Sequence, residues 1–380
     1  MKFLYLFYLI YYISLGIFNP FTNVYYERLG FSGSQIGLIS SVGLLFAMVL
    51  TPLWGVFADK TRRYRTILAG VMILSAVSAF IWKQQTTFLN MLVVATFLMV
   101  FRSAINPIAD SLSVSYCAST NQDYGKIRGI GSLGYVLGSF VIVNCLDALG
   151  FQGPYVSIMC LCLILPCIIL KFYPQITMST KKEKVSLIKN GKILLQNKAY
   201  VFIICLMLFS NLVMDSAGAY LGNHLVTTLH ASEGMIGVYS LIAALPEVIF
   251  IMMIGHFVGM YGFKKVYFFS LLGQLIRLIG YACVNSVPLF MVFSVLNMLT
   301  TGIGAVVNMN YIQKVVDSSM LATAVSLYTG IYFIGQAVYT QLFGFVYQWQ
   351  GSHMIFMIGA GLTLISIVMV MKTKQFDFHK

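Results

Sequence analysis

The sequence predicts an all-α integral membrane protein whose twelve transmembrane helices form two pseudo-symmetric six-helix bundles. Three observations carry that expectation. Of 380 residues, 59% are apolar and 9% charged, with a mean hydropathy of +0.86, far outside the soluble range. Apolar runs of about 20 residues, long enough to cross a hydrocarbon core, recur along the whole chain. One long polar segment, containing Lys181-Lys182-Glu183-Lys184, divides those runs six and six.

In order, the runs are 3–26, 34–56, 65–82, 88–117, 128–147 and 152–173, then 199–226, 233–258, 264–284, 287–314, 319–346 and 353–372. The chain therefore reads as an N-terminal bundle over 1–173, a basic linker over 174–198 and a C-terminal bundle over 199–380. The first run is too long for the apolar core of a signal peptide and has no convincing small-residue cleavage site, so it counts as span 1. With both termini inside, one face holds Lys2, Lys60, Arg62, Arg63, Arg65, Lys126, the seven lysines from Lys171 to Lys198, Lys264, Lys265, Lys314, Lys372, Lys374 and Lys380. The other holds only Arg28 and Lys83. This asymmetry predicts cytoplasmic termini in the plasma membrane, and the net charge of +13 reports topology instead of nucleic-acid binding. Gly55-Val56-Phe57-Ala58-Asp59-Lys60 ends span 2, and Gly255-His256-Phe257-Val258-Gly259 ends span 8 at an offset of 200 residues. Such an echo points to internal duplication, which in transporters builds a site near mid-membrane between the halves.

Charges inside apolar spans cost several kcal/mol unless they face a partner or a wet cavity, so they mark a solute or ion path by default. Here they are Asp110, Arg128, Asp215, Glu247, Arg277 and Arg102. Pro107 and Pro246 stand three residues and one residue before Asp110 and Glu247, where a proline frees carbonyls and bends a cavity-lining helix. If the hairpin between spans 4 and 5 turns near Ser119, Asp110 and Arg128 lie nine positions from it on either side, at equal depth, and can meet. Tyr135 follows Arg128 by seven positions, two turns along the same face. Gly129, Gly131, Gly134 and Gly138 suit close helix packing.

Several of these stretches resemble the major facilitator superfamily. Gly55 to Arg65, GVFADKTRRYR, is similar to its loop signature after the second helix, with Asp59, Lys60 and Arg63 in the expected places and Arg62 where glycine is usual. The resemblance implies an inward gate built on Asp59, Lys60 and Arg63. Asn106-Pro107-Ile108-Ala109-Asp110, Asp123-Tyr124-Gly125-Lys126-Ile127-Arg128 and Gly131-Ser132-Leu133-Gly134-Tyr135 resemble the lactose permease and phenylpropionate permease branch. That implies substrate contacts from Asp110 and Arg128, stacking by Tyr135, and, through Phe18-Asn19-Pro20-Phe21, a place for Asn23 near the cavity.

In the second half, Arg277 aligns with the branch's substrate-side or coupling arginine, and Glu247 and Asp215 with its acids. The branch's coupling Lys, His and Glu fall on Ser294, Asn297 and Thr300, none of which carries a proton near neutral pH. Glu247, with Asp215 as rival, is then the candidate coupling carboxyl, and Asn297 joins the substrate-contacting set. Glu27, Asp147, Glu233, His230, His353, Asp317 and His379 read as solvated loop residues, and His224 as interfacial. Arg102 could attract an anionic solute or pair with an acid.

The seven cysteines show no metal-ligand spacing, and no hydrolase, phosphate-loop or dinucleotide signature is present. The expectation is a monomeric secondary transporter, with no enzyme activity, no cofactor and no metal, which moves a small polar organic solute with a cation, most naturally a proton. A sugar, oligosaccharide or nucleoside suits Asp110 accepting hydroxyls, Arg128 donating and Tyr135 stacking. An aromatic carboxylate bound by arginines, or efflux of a drug or metabolite by the same fold, stays open.

Overall fold

A computed structural model describes residues 2–120, 124–149, 155–170, 187–302, 307–317 and 320–373. Among them, all regular structure is helical. The first half comprises α1 (Lys2–Phe18), α2 (Thr22–Arg28), α3 (Gly33–Thr61), α4 (Tyr64–Lys83), α5 (Phe88–Thr120), α6 (Tyr124–Leu149) and α7 (Tyr155–Ile169). The short α8 (Leu187–Gln196) precedes α9 (Lys198–Leu206), α10 (Leu212–Gly218) and α11 (Leu221–Asn223), which are interleaved with π-helical turns at Met207–Asn211 and His224–Thr228. Then come α12 (Gly234–Cys283), α13 (Val287–Ser294), α14 (Asn297–Gly302), α15 (Asn308–Val315) and α16 (Leu321–Lys372).

Seven helical stretches among the described residues are long and apolar enough to cross a bilayer, and shorter apolar helices accompany them. Two of the elements are two helices each: α12 breaks at Gly262 (φ 80°, ψ 162°) and α16 at Gly351 (φ 73°, ψ −177°), backbone that glycine adopts without a Cβ clash. Counting them so recovers the twelve expected spans, with helix ends close to the hydropathy boundaries. Span 1 is α1 and α2, interrupted at 19–21 where Pro20 lacks an N–H and biases Asn19 away from helix. Ser32 starts α3 through a capping box with Gln35, and the Asn197 side chain accepts from the N–H groups of Ala199 and Tyr200 to start α9.

The duplication is written in the backbone. Gly30 (φ 83°) and His230 (φ 52°) share a positive φ, as do Arg62 (φ 54°) and Gly262 (φ 80°), and each pair is 200 positions apart. Span 1 breaks at 19–21 and span 7 at 219–220, the same offset. The glycine that the loop signature leads one to expect at Arg62 is thus explained, because Arg62 caps α3 in a conformation that favours glycine.

Packing divides the chain into two units, Met1–Lys182 with His230–Leu241, and Glu183–Leu229 with Ile242–Lys380. In the first, α1 lies directly on α6. A Cβ at Gly16 would collide with the Tyr135 carbonyl oxygen, and one at Gly134 with that of Leu9, so both must be glycine. Gly138 is similarly crowded by the Ile13 carbonyl oxygen, Gly131 sits tightly against the Tyr12 ring, and Gly129 faces open space. The core of this unit gathers Phe7, Leu68, Ile105, Ile127 and Leu163; the second unit has its own core of Tyr200, Leu206, Leu271, Tyr311 and Val370. Large apolar side chains stay exposed along the long helices, among them Phe46, Leu89, Val292 and Met371, as lipid-facing surfaces require.

Candidate functional site

In the first unit, Asp110 and Arg128 are not in contact, which corrects the direct pairing expected from their equal depth. Arg28 and Glu233 form an ion pair at 3.0 Å, so Glu233 is paired as well as solvated. Helix α1 takes each partner instead. The Tyr8 hydroxyl donates to Asp110 Oδ1 at 2.6 Å, and the Arg128 guanidinium lies over the Tyr12 ring, 4.7 Å from its centroid. Tyr8 and Tyr12 stack at 6.0 Å, one turn apart on α1. The Tyr12 hydroxyl donates to Asn106 Oδ1 at 3.1 Å, and Tyr124 meets Tyr8 edge-on at 6.4 Å. Two tyrosines thus stand where an ion pair was expected, and they leave Arg128 exposed.

The other first-half candidates are dispersed. Tyr135 is half-buried and packs on the core, and Asn23 is buried on α2. Arg102 has a defined role: its Nη2 donates to Asn19 Oδ1 at 3.0 Å and its guanidinium covers the Phe18 ring at 4.3 Å, holding the break in span 1. Of the gate residues, Lys60 and Arg63 are exposed, and the Asp59 side chain lies outside the described residues, as does that of Asp147.

The second unit contains a continuous buried network. Arg277, 2% exposed, donates through Nε to the Tyr281 hydroxyl at 3.0 Å and through Nη1 to Asn297 Oδ1 at 2.6 Å and Thr300 Oγ1 at 3.1 Å. Asn297 Nδ2 donates to Glu247 Oε2 at 2.6 Å, and Tyr281 donates to Ser294 at 2.9 Å. Of the three positions that replace the branch's ionisable coupling residues, Asn297 and Thr300 therefore face Arg277 with neutral oxygens, and Ser294 holds the Tyr281 hydroxyl that also accepts from it. Those contacts satisfy a buried guanidinium, whose five donors would otherwise cost heavily. Asp215 is exposed and accepts from the Tyr332 hydroxyl at 2.6 Å.

Two further features escape a reading of the sequence. His224, expected at the interface, is fully buried: its Nδ1 is 2.7 Å from Ser352 Oγ, which Thr228 also bonds at 2.9 Å, and its ring lies 5.1 Å from that of His353. His353, expected to be merely solvated, donates from Nδ1 to the Ala282 carbonyl at 2.7 Å. At the first π-turn of span 7, Gln274 donates to the Ser210 carbonyl and to Thr363 Oγ1, both at 3.0 Å, and takes up backbone that the turn frees. The partners lie tens of residues away, so no local pattern announces them. The Tyr8 and Tyr12 pair did leave a signal, because Asn106 and Asp110 share its spacing of four.

Among known proteins, the chain is 26% identical over 326 residues to the "Uncharacterized transporter YwbF" of Bacillus subtilis (strain 168), covering 86% of this chain and 81% of that one. It is 24% identical over 329 residues to a maltose permease of Geobacillus stearothermophilus, covering 86% and 82%. A crystal structure of the nucleoside transporter NupG superposes with a TM-score of 0.83 at 17% identity over 100% of this chain and 99% of that one, a likeness of fold. Residues 2–358 match the model of the MFS_1 like family, and together with the twelve-helix architecture this makes the chain a member of that family of major facilitator transporters.

Proposed function

We propose that this transporter takes up a small hydroxylated organic solute, a sugar, oligosaccharide or nucleoside, by alternating access as a proton symporter. The observation that carries the reading is the Asp110–Tyr8–Tyr12–Arg128 cluster, which offers an acceptor, a hydroxyl, an aromatic face and an exposed cationic donor within one unit. These are the groups that a polyhydroxylated ring engages by hydrogen bonding and stacking. Likeness to a maltose permease over most of both chains supports the substrate class. Glu247 is the proposed proton carrier. Its link to Arg277 through Asn297 supplies an element whose rearrangement changes how far the carboxylate is stabilised. Lys60 and Arg63, with Asp59, are proposed as the cytoplasmic gate, both termini as cytoplasmic, and 1–173 and 199–380 as bundles joined by a basic linker. The functional form is a monomer.

An aromatic carboxylate is the second reading, favoured by one observation: Arg128 lies over an aromatic ring with no carboxylate of the described residues within 4 Å. Labelled sugars, nucleosides and aromatic acids offered to proteoliposomes, with and without a pH gradient, separate the two. Gradient-driven accumulation of a hydroxylated neutral solute is expected. Accumulation of aromatic acids alone would replace the first reading with the second, and substrate export from cells would reverse the direction.

A further inference from the structure

We infer that the second unit binds an anionic phospholipid of the inner leaflet in a groove between spans 7 and 12, where three lysines hold the headgroup. The groove, of about 600 Å³, is lined by Phe202, Leu364, Ile365, Val368, Met369, Lys372 and Thr373. Its wall is apolar along two turns of α16 and ends at a cation. Leu364, Ile365 and Val368 remain exposed, so an acyl chain can lie against them. An acyl chain lying there exchanges one apolar surface for another, so in a bilayer the groove selects among lipids through its charged end.

The charges converge at that end. Lys372 is one turn beyond Val368 on α16 and lines the groove itself. Lys198, exposed, is one turn before Phe202 on the facing helix and so shares its face. The Lys264 ammonium donates to the carbonyl of Thr373, another wall residue, at 2.9 Å. No wall residue is acidic. A phosphate at this mouth meets ammonium groups from three helices, which is the complementarity an anionic headgroup requires.

Neighbouring structure fits a membrane surface at the same level. Helix α8 buries Leu194 in the core of the unit while Ile193, Leu195 and Lys192 stay exposed, the mixed surface of a helix lying in the interface. A contrast is found within the same chain. A larger groove, about 740 Å³, between α3 and α5 is lined by apolar side chains and Thr96, with no cation in its wall, and should not select by headgroup.

The test is native mass spectrometry of the full-length protein released from nanodiscs containing equal phosphatidylglycerol and phosphatidylcholine. Wild type is expected to retain phosphatidylglycerol preferentially. Lys198→Gln with Lys372→Gln should lower that preference about fivefold for each lysine, and Val368→Trp, which fills the groove, should lower occupancy with the lysines intact. Lys2→Gln with Lys126→Gln, basic positions elsewhere, should change nothing. Equal retention of both lipids by wild type, or an equal loss in the Lys2/Lys126 variant, would overturn the assignment; so would a Lys198/Lys372 variant that is folded by size-exclusion and retains lipid like wild type. Transport is not the readout, so failure here leaves the proposed function standing.

Discussion

Arg277 and Glu247 are held at the two ends of one amide. Asn297 accepts from the guanidinium through Oδ1 and donates to the carboxylate through Nδ2, both at 2.6 Å. The orientation of that amide is fixed by its charged neighbours, since only oxygen can face the arginine and only nitrogen the carboxylate. Asn297, expected from the sequence to contact substrate, has its side chain engaged here within the protein.

Replacing Asn297 with Leu should therefore be costly. Glu247 and Arg277 each lose one hydrogen bond while Arg277 keeps Tyr281 and Thr300, and a hydrogen bond to a charged group contributes about 1.5–3 kcal/mol. The expected outcome is a lower melting temperature in detergent and loss of uptake, read by a thermal-shift assay and a proteoliposome assay on the same preparation.

Glu247→Gln keeps the hydrogen bond from Asn297 and removes the ionisable proton. If Glu247 carries the coupling proton, wild-type uptake rises as the external medium is acidified and the variant loses that response while still equilibrating solute down its gradient. Uptake against external pH decides, and an unchanged profile in the variant takes Glu247 off the proton path.

Tyr8→Phe removes one hydroxyl from Asp110 and leaves the stack on Tyr12. A hydrogen bond to a charged group contributes about 1.5–3 kcal/mol, so solute affinity should fall about tenfold or more with expression near normal. Isothermal titration of the purified variant with the transported solute measures it.

Arg62→Gly should stabilise the protein by up to about 1 kcal/mol, since glycine removes the left-handed penalty at φ 54°. Gly262→Ala, the position 200 residues on, should destabilise by about 1–3 kcal/mol, since φ 80° with ψ 162° is backbone that essentially only glycine adopts. Paired melting curves in one detergent test both signs.

Much of the fold was legible because a bilayer imposes one length and one solvent on every helix; the ends of α3, α4 and α5 fall within a few residues of the hydropathy limits. The duplication was visible only as a short echo, yet positive φ recurs at the same offset, Arg62 with Gly262 and Gly30 with His230, because chain reversals persist where side chains diverge. At the site, the charges were legible and their partners were not. The spacing of four that Tyr8 and Tyr12 share with Asn106 and Asp110 is the one trace of their pairing, and depth along a helix says nothing about which neighbour stands between two residues. Asp110 and Arg128 were expected to touch for that reason, and α1 separates them.

Equilibrium binding of a panel of sugars, nucleosides and aromatic carboxylates to purified wild type and Asp110→Asn addresses the substrate cluster most directly. A hydroxylated neutral solute should bind wild type and lose about tenfold or more in the variant, since the carboxylate acceptor is gone. Equal affinity in both proteins, or binding confined to aromatic carboxylates, would contradict the assignment of Asp110, Tyr8, Tyr12 and Arg128 as the solute-binding cluster.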